Sequence, residues 1–263
     1  MASQAQSDSA SFWDHLDALR SVLIRIIAVV IVAAVAAFGA MPWIFDNIIM
    51  APCSPSFPAY SLFESVPGMG GDFHVNIMSL ELASQLFTHL SASCWVALIV
   101  TFPIIIYLLW GFVAPALYPE EKRGIRGAFV FGNVMFYLGV VVSYFLVFPI
   151  ILRFLATYQL SSAIEPVVSL DSYMSNFFTM MLLMGAVFEL PLLAWLLGKM
   201  GLLTRGFFTK YRRHAIVVLL IVAALITPTG DPFTLFIVFL PIYALWEASA
   251  LLVPKASPEV DQP

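Results

Sequence analysis

Several carboxylates in this chain stand where a carboxylate is expensive or conspicuous. In Ala114-Pro115-Ala116-Leu117-Tyr118-Pro119-Glu120-Glu121-Lys122-Arg123, two acids sit beside two bases. An ionised carboxylate accepts two parallel hydrogen bonds from a guanidinium, so Glu120 and Glu121 suit recognition of an arginine ligand. They also suit a helix start, with Pro119 at the first position and both acids in the first turn, where the helix dipole favours them. One role does not exclude the other. Glu189, in Phe188-Glu189-Leu190-Pro191, lies inside an apolar run. At that depth a carboxylate must be protonated, paired or turned to a watery groove. Pro191 lacks an amide N–H and deprives the Val187 carbonyl of its helical donor. A protonated Glu189 or a water can satisfy that carbonyl; alternatively Glu189 marks a groove used by a substrate or partner, the reading favoured here. Glu247, in Leu245-Trp246-Glu247, ends another apolar run, and a solvated helix end explains it as well as function does. Asp231 belongs to Thr227-Pro228-Thr229-Gly230-Asp231-Pro232, where turn capping accounts for it.

The segment Phe12-Trp13-Asp14-His15-Leu16-Asp17-Ala18-Leu19-Arg20 repeats Phe12, Leu16 and Leu19 at helical spacing. It reads as an amphipathic helix at the membrane interface leading into the first apolar run. His15 has no histidine near it in sequence and reads as packed or capping. Catalytic signatures are missing: there is no Gly-x-Ser-x-Gly, His-Glu-x-x-His or phosphate-binding loop. Ser91 and Ser93 can hydrogen-bond within the bundle, but no histidine is placed to activate them. No Cys/His spacing suits a metal. These absences predict a protein without catalytic residues, cofactor or metal. Cys53 and Cys94 read better as small apolar side chains than as a disulfide, although both can lie on the outer side.

The elements that must position these groups are membrane helices. The chain is 61% hydrophobic and 11% charged over 263 residues, against roughly a quarter charged in a soluble domain. No basic block suggests nucleic acid. The apolar residues form long runs, at about 22–44, 90–113, 128–151, 173–197, 215–227 and 233–253. Hydrocarbon leaves backbone groups no partner outside a helix or closed barrel, and the runs do not alternate as barrel strands would. The expectation is an all-α polytopic protein with six transmembrane helices, an N-tail over 1–21 and a short polar, disordered C-tail over 254–263. The fifth run has 13 residues, about 20 Å of helix against about 30 Å of hydrocarbon. Runs five and six therefore read as a short hairpin through the Pro228–Pro232 turn, in preference to one span with a re-entrant turn. The outer loop, 45–89, carries four prolines and Gly68-Met69-Gly70-Gly71, and Val75–Thr88 suits a short helix lying on the membrane. No internal repeat stands out. The N-terminus lacks the positive start of a cleavable signal peptide, so the first run reads as a retained span.

Ten cations, Arg20, Lys122, Arg123, Arg126, Lys199, Arg205, Lys210, Arg212, Arg213 and Lys255, fall on one side of such a topology, and only Arg153 on the other. Arg25, near the end of the first run, can snorkel to the basic side. The bias puts both termini in the cytoplasm.

Together, His15-Leu16 with Leu19-Arg20, Phe112-Val113-Ala114-Pro115-Ala116-Leu117-Tyr118, Phe188-Glu189-Leu190-Pro191, Thr227-Pro228 with Asp231, and Leu245-Trp246-Glu247 resemble the TatC subunit of the twin-arginine protein translocase, in order and spacing, over about Phe12 to Val253. The resemblance implies a concave helical bundle in a prokaryotic inner membrane. It implies a receptor for twin-arginine signal peptides that works with single-span TatA and TatB partners, within an oligomeric complex, to export folded proteins on the proton-motive force. It implies no covalent chemistry and no cofactor. It assigns the arginine pair to Glu121, with Glu120 beside it, and to an acid of the N-tail near Arg20. Glu189 would line the concave groove, with Glu247 as a further groove or partner contact and Pro228 and Asp231 in the outer turn. The N-tail departs from the family, whose usual glutamate before Leu-Arg is Ala18 here. Asp17 is adjacent and Asp14 lies one turn earlier on the same face, so either can supply the missing carboxylate. The competing class is a proton- or ion-coupled secondary transporter with Glu189 as its intramembrane site. An intramembrane protease or a structural scaffold fits less well.

Overall fold

The computed structural model describes residues 2–61, 75–113, 122–158, 161, 167–227 and 229–253. The sequence readings for Gly68–Gly71, Pro119, Glu120, Glu121, Pro228 and the C-tail lie outside the described residues. Among those described, the chain is helical except for one pair of two-residue strands. In order these are α1 (Ala2–Ile44), α2 (Pro58–Ser61), β1 (Ile77–Met78), α3 (Ser84–Val113), α4 (Lys122–Val142), α5 (Phe148–Thr157), β2 (Val168–Ser169), α6 (Leu170–Val187), α7 (Leu190–Lys199), α8 (Arg205–Lys210), α9 (Arg212–Ile226) and α10 (Pro232–Leu252). Short π-helical turns, Phe45–Ile49 and Ser143–Val147, follow α1 and α4. Five stretches are long and apolar enough to cross a bilayer: Leu16–Ser61, Ser84–Phe112, Gly127–Thr157, Leu170–Lys199 and Pro232–Leu252. At 15 residues, α9 falls short of them.

The chain divides into two compact units, Met1–Trp43 with Leu86–Asn133, and Ile44–Gln85 with Val134–Pro263. In the first, Pro42 inside α1 removes the helical donor of the Phe38 carbonyl. His89 of α3 supplies a replacement: its Nε2 lies 3.0 Å from that oxygen, and its ring stacks on Phe38 with centroids 3.9 Å apart. Ser93 and Thr101 donate back to carbonyls one turn earlier and are satisfied within their own helix; Asn133 Nδ2 does the same to Phe129, while its Oδ1 is buried without a partner.

In the second unit, α4 and α6 cross through glycines. A Cβ on Gly139 would lie 2.7 Å from the Met184 carbonyl oxygen and 2.8 Å from Phe188, and one on Gly185 would meet the Phe136 ring at 2.6 Å. The helical run that begins with α1 ends at Ile49, where carbonyls lack helical donors. Two tyrosines from other elements cap them. Tyr144 donates to the Ile48 carbonyl and the buried Tyr173 of α6 donates to that of Ile49. Tyr60 donates to the Pro52 carbonyl, and buried Arg153 lies over the Tyr60 ring at 5.3 Å. The outer-side base of the sequence reading is thus packed, not solvated.

The expected surface helix over Val75–Thr88 is not formed. Residues 77–78 pair in parallel with 168–169, and the Asn76 carbonyl accepts from Val168 N–H at 3.0 Å. A backbone committed to a strand ladder cannot also close helical turns. The helix begins at Ser84, whose hydroxyl donates to Asp171 at 2.7 Å. Cys53 and Cys94 are both free thiols.

Gly139→Ala places a methyl against backbone, which cannot rotate away. It is expected to destabilise the detergent-solubilised protein by about 1–3 kcal/mol, seen as a lower thermal midpoint, whereas Gly127→Ala, which meets nothing within 4 Å, is expected to leave the midpoint unchanged.

Candidate functional site

The N-tail carboxylates ride on α1. Asp14 lies within the helix, and Asp17 and Arg20 expose their side chains. Among the described residues neither Asp17 nor Arg20 makes an ion pair; the one salt bridge there joins Arg212 and Glu247. Two exposed, unengaged charges of opposite sign can both contact a ligand that carries cations and carbonyls. Pro119, Glu120 and Glu121 fall in the loop between α3 and α4, outside the described residues, and α4 is described from Lys122 onward.

Glu189 sits at a break. The run expected to be one span is split, with α6 ending at Val187 and α7 starting at Leu190, and Pro191 in the first turn of α7 where its missing N–H is harmless. The Phe188 N–H reaches the Met184 carbonyl at 3.0 Å and the Glu189 N–H the Ala186 carbonyl at 3.1 Å. The Glu189 side chain does not repair the broken turn: its Oε1 is buried without a hydrogen-bond partner. An unsatisfied carboxyl oxygen of this kind calls for a donor from outside the described residues.

Glu247 is engaged. Arg212 at the start of α9 donates to its Oε2 at 2.6 Å, and Tyr243, one turn earlier on α10, donates to its Oε1 at 2.9 Å. It therefore ties the two arms of the hairpin at the basic end. The neighbouring Trp246 has a buried indole N–H with no partner. Its ring packs on Phe208 of α8 with centroids 4.7 Å apart, in a cluster with Ala194 and Ala250. Sequence reasoning named Arg212 and Trp246 but not their partners, and missed α8. Only the four-residue spacing of Tyr243 and Glu247 offered a signal.

Asp231 caps α10. Its Oδ1 accepts the Thr234 N–H at 2.8 Å, and its Oδ2 accepts the Thr229 hydroxyl at 2.7 Å. Burial alone would raise its pKa, but the bonds from Thr234 and Thr229 hold it below the usual aspartate value.

The profile of the family described as Sec-independent protein translocase protein (TatC) matches residues 14–241. The chain belongs to the TatC family. It is 32% identical over 256 residues to a Sec-independent protein translocase protein TatC of Blattabacterium, covering 93% of this chain and 95% of the relative. A Campylobacter jejuni TatC is 31% identical over 244 residues, covering 93% and 94%. A Helicobacter pylori TatC is 41% identical over 162 residues, covering 62% and 64%. Two crystal structures of a twin-arginine translocase receptor TatC superpose with TM-scores of 0.74 and 0.72 at 29% identity. They cover 90% of this chain and 98% and 97% of theirs. The chain is thus a multi-pass, all-α membrane protein of the TatC family. The matches favour protein translocation and give no support to the proton- or ion-coupled transporter.

Because the folded-state pKa of Asp231 is the lower one, its cap is fully stabilising above the ordinary aspartate range and is lost as pH falls through the lowered value. Asp231→Ala is expected to cost about 1 kcal/mol. Asp231→Asn should keep most of the cap and lose the acid-range pH dependence. Thermal melts in detergent between roughly pH 3 and 7 distinguish the three proteins.

Proposed function

We propose that this chain is the signal-peptide receptor of a twin-arginine translocation system in a prokaryotic inner membrane. The likeness over nine-tenths of the chain to solved twin-arginine translocase receptors carries this reading. Both termini are assigned to the cytoplasm because ten cations fall on that side and Arg153 alone on the other. The α9–α10 hairpin completes six spans between an N-tail over 1–21 and a C-tail over 254–263. TatA- and TatB-type single-span proteins are the proposed partners, in an oligomeric receptor complex, and the proton-motive force is the energy source. Nothing in this role requires a cofactor or covalent chemistry.

The arginine pair of the signal peptide is assigned to Glu121, flanked by Glu120, and to a carboxylate of the N-tail. Asp14 and Asp17 are three residues apart on one helical stripe, and Asp17 is exposed next to Arg20. They replace the glutamate that this sequence lacks at Ala18. Each charge-assisted hydrogen bond contributes roughly 1.5–3 kcal/mol. Lysine lacks the planar fork that makes two such bonds at once. Glu189 is assigned to a different element, a partner helix or the deeper part of the signal peptide, because its buried oxygen lacks a donor.

Glu121→Ala is expected to weaken binding of a twin-arginine peptide at least about tenfold, and Asp14→Ala with Asp17→Ala by a similar factor. The wild-type protein should discriminate against the Lys-Lys peptide. Fluorescence anisotropy with the purified chain reads all three, and unchanged affinity in the double aspartate variant would remove the N-tail assignment. A photocrosslinker at position 189 should capture a partner helix or the signal peptide in membranes containing both; capture of neither would refute the role given to Glu189.

A further inference from the structure

Charges of opposite sign are segregated on one side of this protein. Between the N-tail and α8 the chain passes four stretches able to cross a bilayer, Leu16–Ser61, Ser84–Phe112, Gly127–Thr157 and Leu170–Lys199. A chain that crosses four times returns to its starting side, so the N-tail and α8 share that side. Residues 199–214 carry Lys199, Arg205, Lys210, Arg212 and Arg213 and no acid. Packing gathers them at one place. Ala194 of α7, Phe208 of α8 and Ala250 of α10 form a single buried cluster, with Trp246 against Phe208. Arg212 is committed to Glu247 at 2.6 Å. Among the described residues the other four cations make no salt bridge, although Lys199 lies 4.4 Å over the Trp195 ring and Lys210 5.7 Å over that of Tyr211. Like charges held together without a counter-charge repel one another and favour an acidic ligand.

An acidic element starts from the same side. Residues 1–19 hold Asp8, Asp14 and Asp17 and no Lys or Arg. They belong to α1, which runs unbroken from Ala2 to Ile44. Its first glycine is Gly39 and its one proline Pro42, so the usual kink sites come only near its far end. The part before Arg20 is therefore a straight arm of about 27 Å that continues the axis of the span. With no kink at which to fold back, the arm offers its acids to a neighbouring molecule. Asp17 is exposed and unpaired among the described residues. The preference for Lys and Arg on the cytoplasmic side accounts for the patch by itself. It does not account for an arm on that side with three acids and no Lys or Arg. A lipid headgroup on the patch would leave that segregation unexplained.

We infer that the N-terminal arm of one copy docks on the basic patch of a second copy, with Asp14 and Asp17 against the cations of α8 and the start of α9. The regulation this provides rests on the assignment of the same two carboxylates to the signal peptide's arginine pair. They cannot hold both partners, so a bound signal peptide releases the arm from its neighbour.

The test mixes light and heavy-nitrogen-labelled full chain in phosphatidylcholine vesicles and treats them with a carbodiimide, which joins a carboxylate to a lysine amine in contact with it. Amides from Asp14 or Asp17 to Lys199 or Lys210 are expected in peptide pairs with one light and one heavy member. Their yield should fall about fivefold or more between about 0.05 and 0.5 M salt. Arg205→Glu with Arg213→Glu should lower the yield at Lys210 about threefold or more. Saturating twin-arginine peptide should lower it too, and the double variant, freed of the competing contact, should bind that peptide about twofold tighter. Absence of mixed amides would overturn the contact, and phosphatidylglycerol enriched around a patch that forms none would give the cations to lipid. Amides confined to one isotope would place the contact within a single chain and overturn the second copy. Mixed amides indifferent to both salt and the double variant, in proteins that melt like wild type, would overturn the charge pairing. Amides that persist under bound peptide would overturn the regulation. Mixed amides in a chain that binds no twin-arginine peptide would uphold the arm contact and remove the receptor reading instead.

Discussion

Hydrocarbon offers no hydrogen bonds, so every polar group inside it must find its partner in the protein. Much of this structure follows from that single constraint. Proline recurs in the apolar helices, and one inside a helix strands a carbonyl. The Phe38 carbonyl, orphaned by Pro42, is answered by His89 from α3. Pro149 follows a π-helical turn in which Phe148 N–H bonds five residues back to Ser143. Pro191 coincides with a two-residue turn, Phe188 and Glu189, between α6 and α7. The π-helical turn at Phe45–Ile49 is answered by Tyr144 and Tyr173, so this turn is tied to elements about a hundred residues later within the second unit. Polar satisfaction and tertiary connectivity are here the same set of contacts.

The hairpin obeys the constraint differently. Its turn is capped by Asp231 with Thr229 and Thr234, and its other end is held by Arg212, Glu247 and Tyr243. Both ends carry charge, and the helix between them is too short for an unperturbed bilayer. Short, charge-terminated helices deform their surroundings, which suits a protein whose family moves folded cargo across a membrane. Between α4 and α6, by contrast, the fold relies on shape. Gly139 and Gly185 let α4 and α6 approach until a methyl group would not fit.

The sequence made the helical class, the short fifth helix, the cap at Asp231 and the family legible, because hydropathy, helix length and turn chemistry are local properties; the sixth helix, expected to be short as well, runs for 21 residues and is long enough to cross a bilayer. The sequence misled at Val75–Thr88, read as a short surface helix, where residues 77–78 form a strand pair with 168–169. A partner some ninety residues away leaves no trace in local periodicity. The partners of Arg212 and Trp246 escaped for the same reason: each lies on another element. Arg153 was counted as an outer-loop charge and is instead buried against Tyr60, since composition cannot distinguish a snorkelling cation from a packed one.

Glu189 shows where satisfaction stops. The most economical role for an acid beside a helix-breaking proline was to repair the turn, and the turn is instead resolved by breaking the helix. That leaves a carboxyl oxygen, buried and unpaired, in a protein that otherwise pairs Asp231, Glu247, Tyr144 and Tyr173. A structural acid at this position would be expected to have its partner in the chain, as Glu247 does. An acid held without one is best understood as waiting for a donor that arrives with a peptide or a partner helix. The N-tail follows the same logic at the surface, where Asp17 and Arg20 remain unpaired on an exposed helix. Water makes an idle charge cheap there and hydrocarbon makes it dear at Glu189. The unpaired state is therefore the more informative one at Glu189.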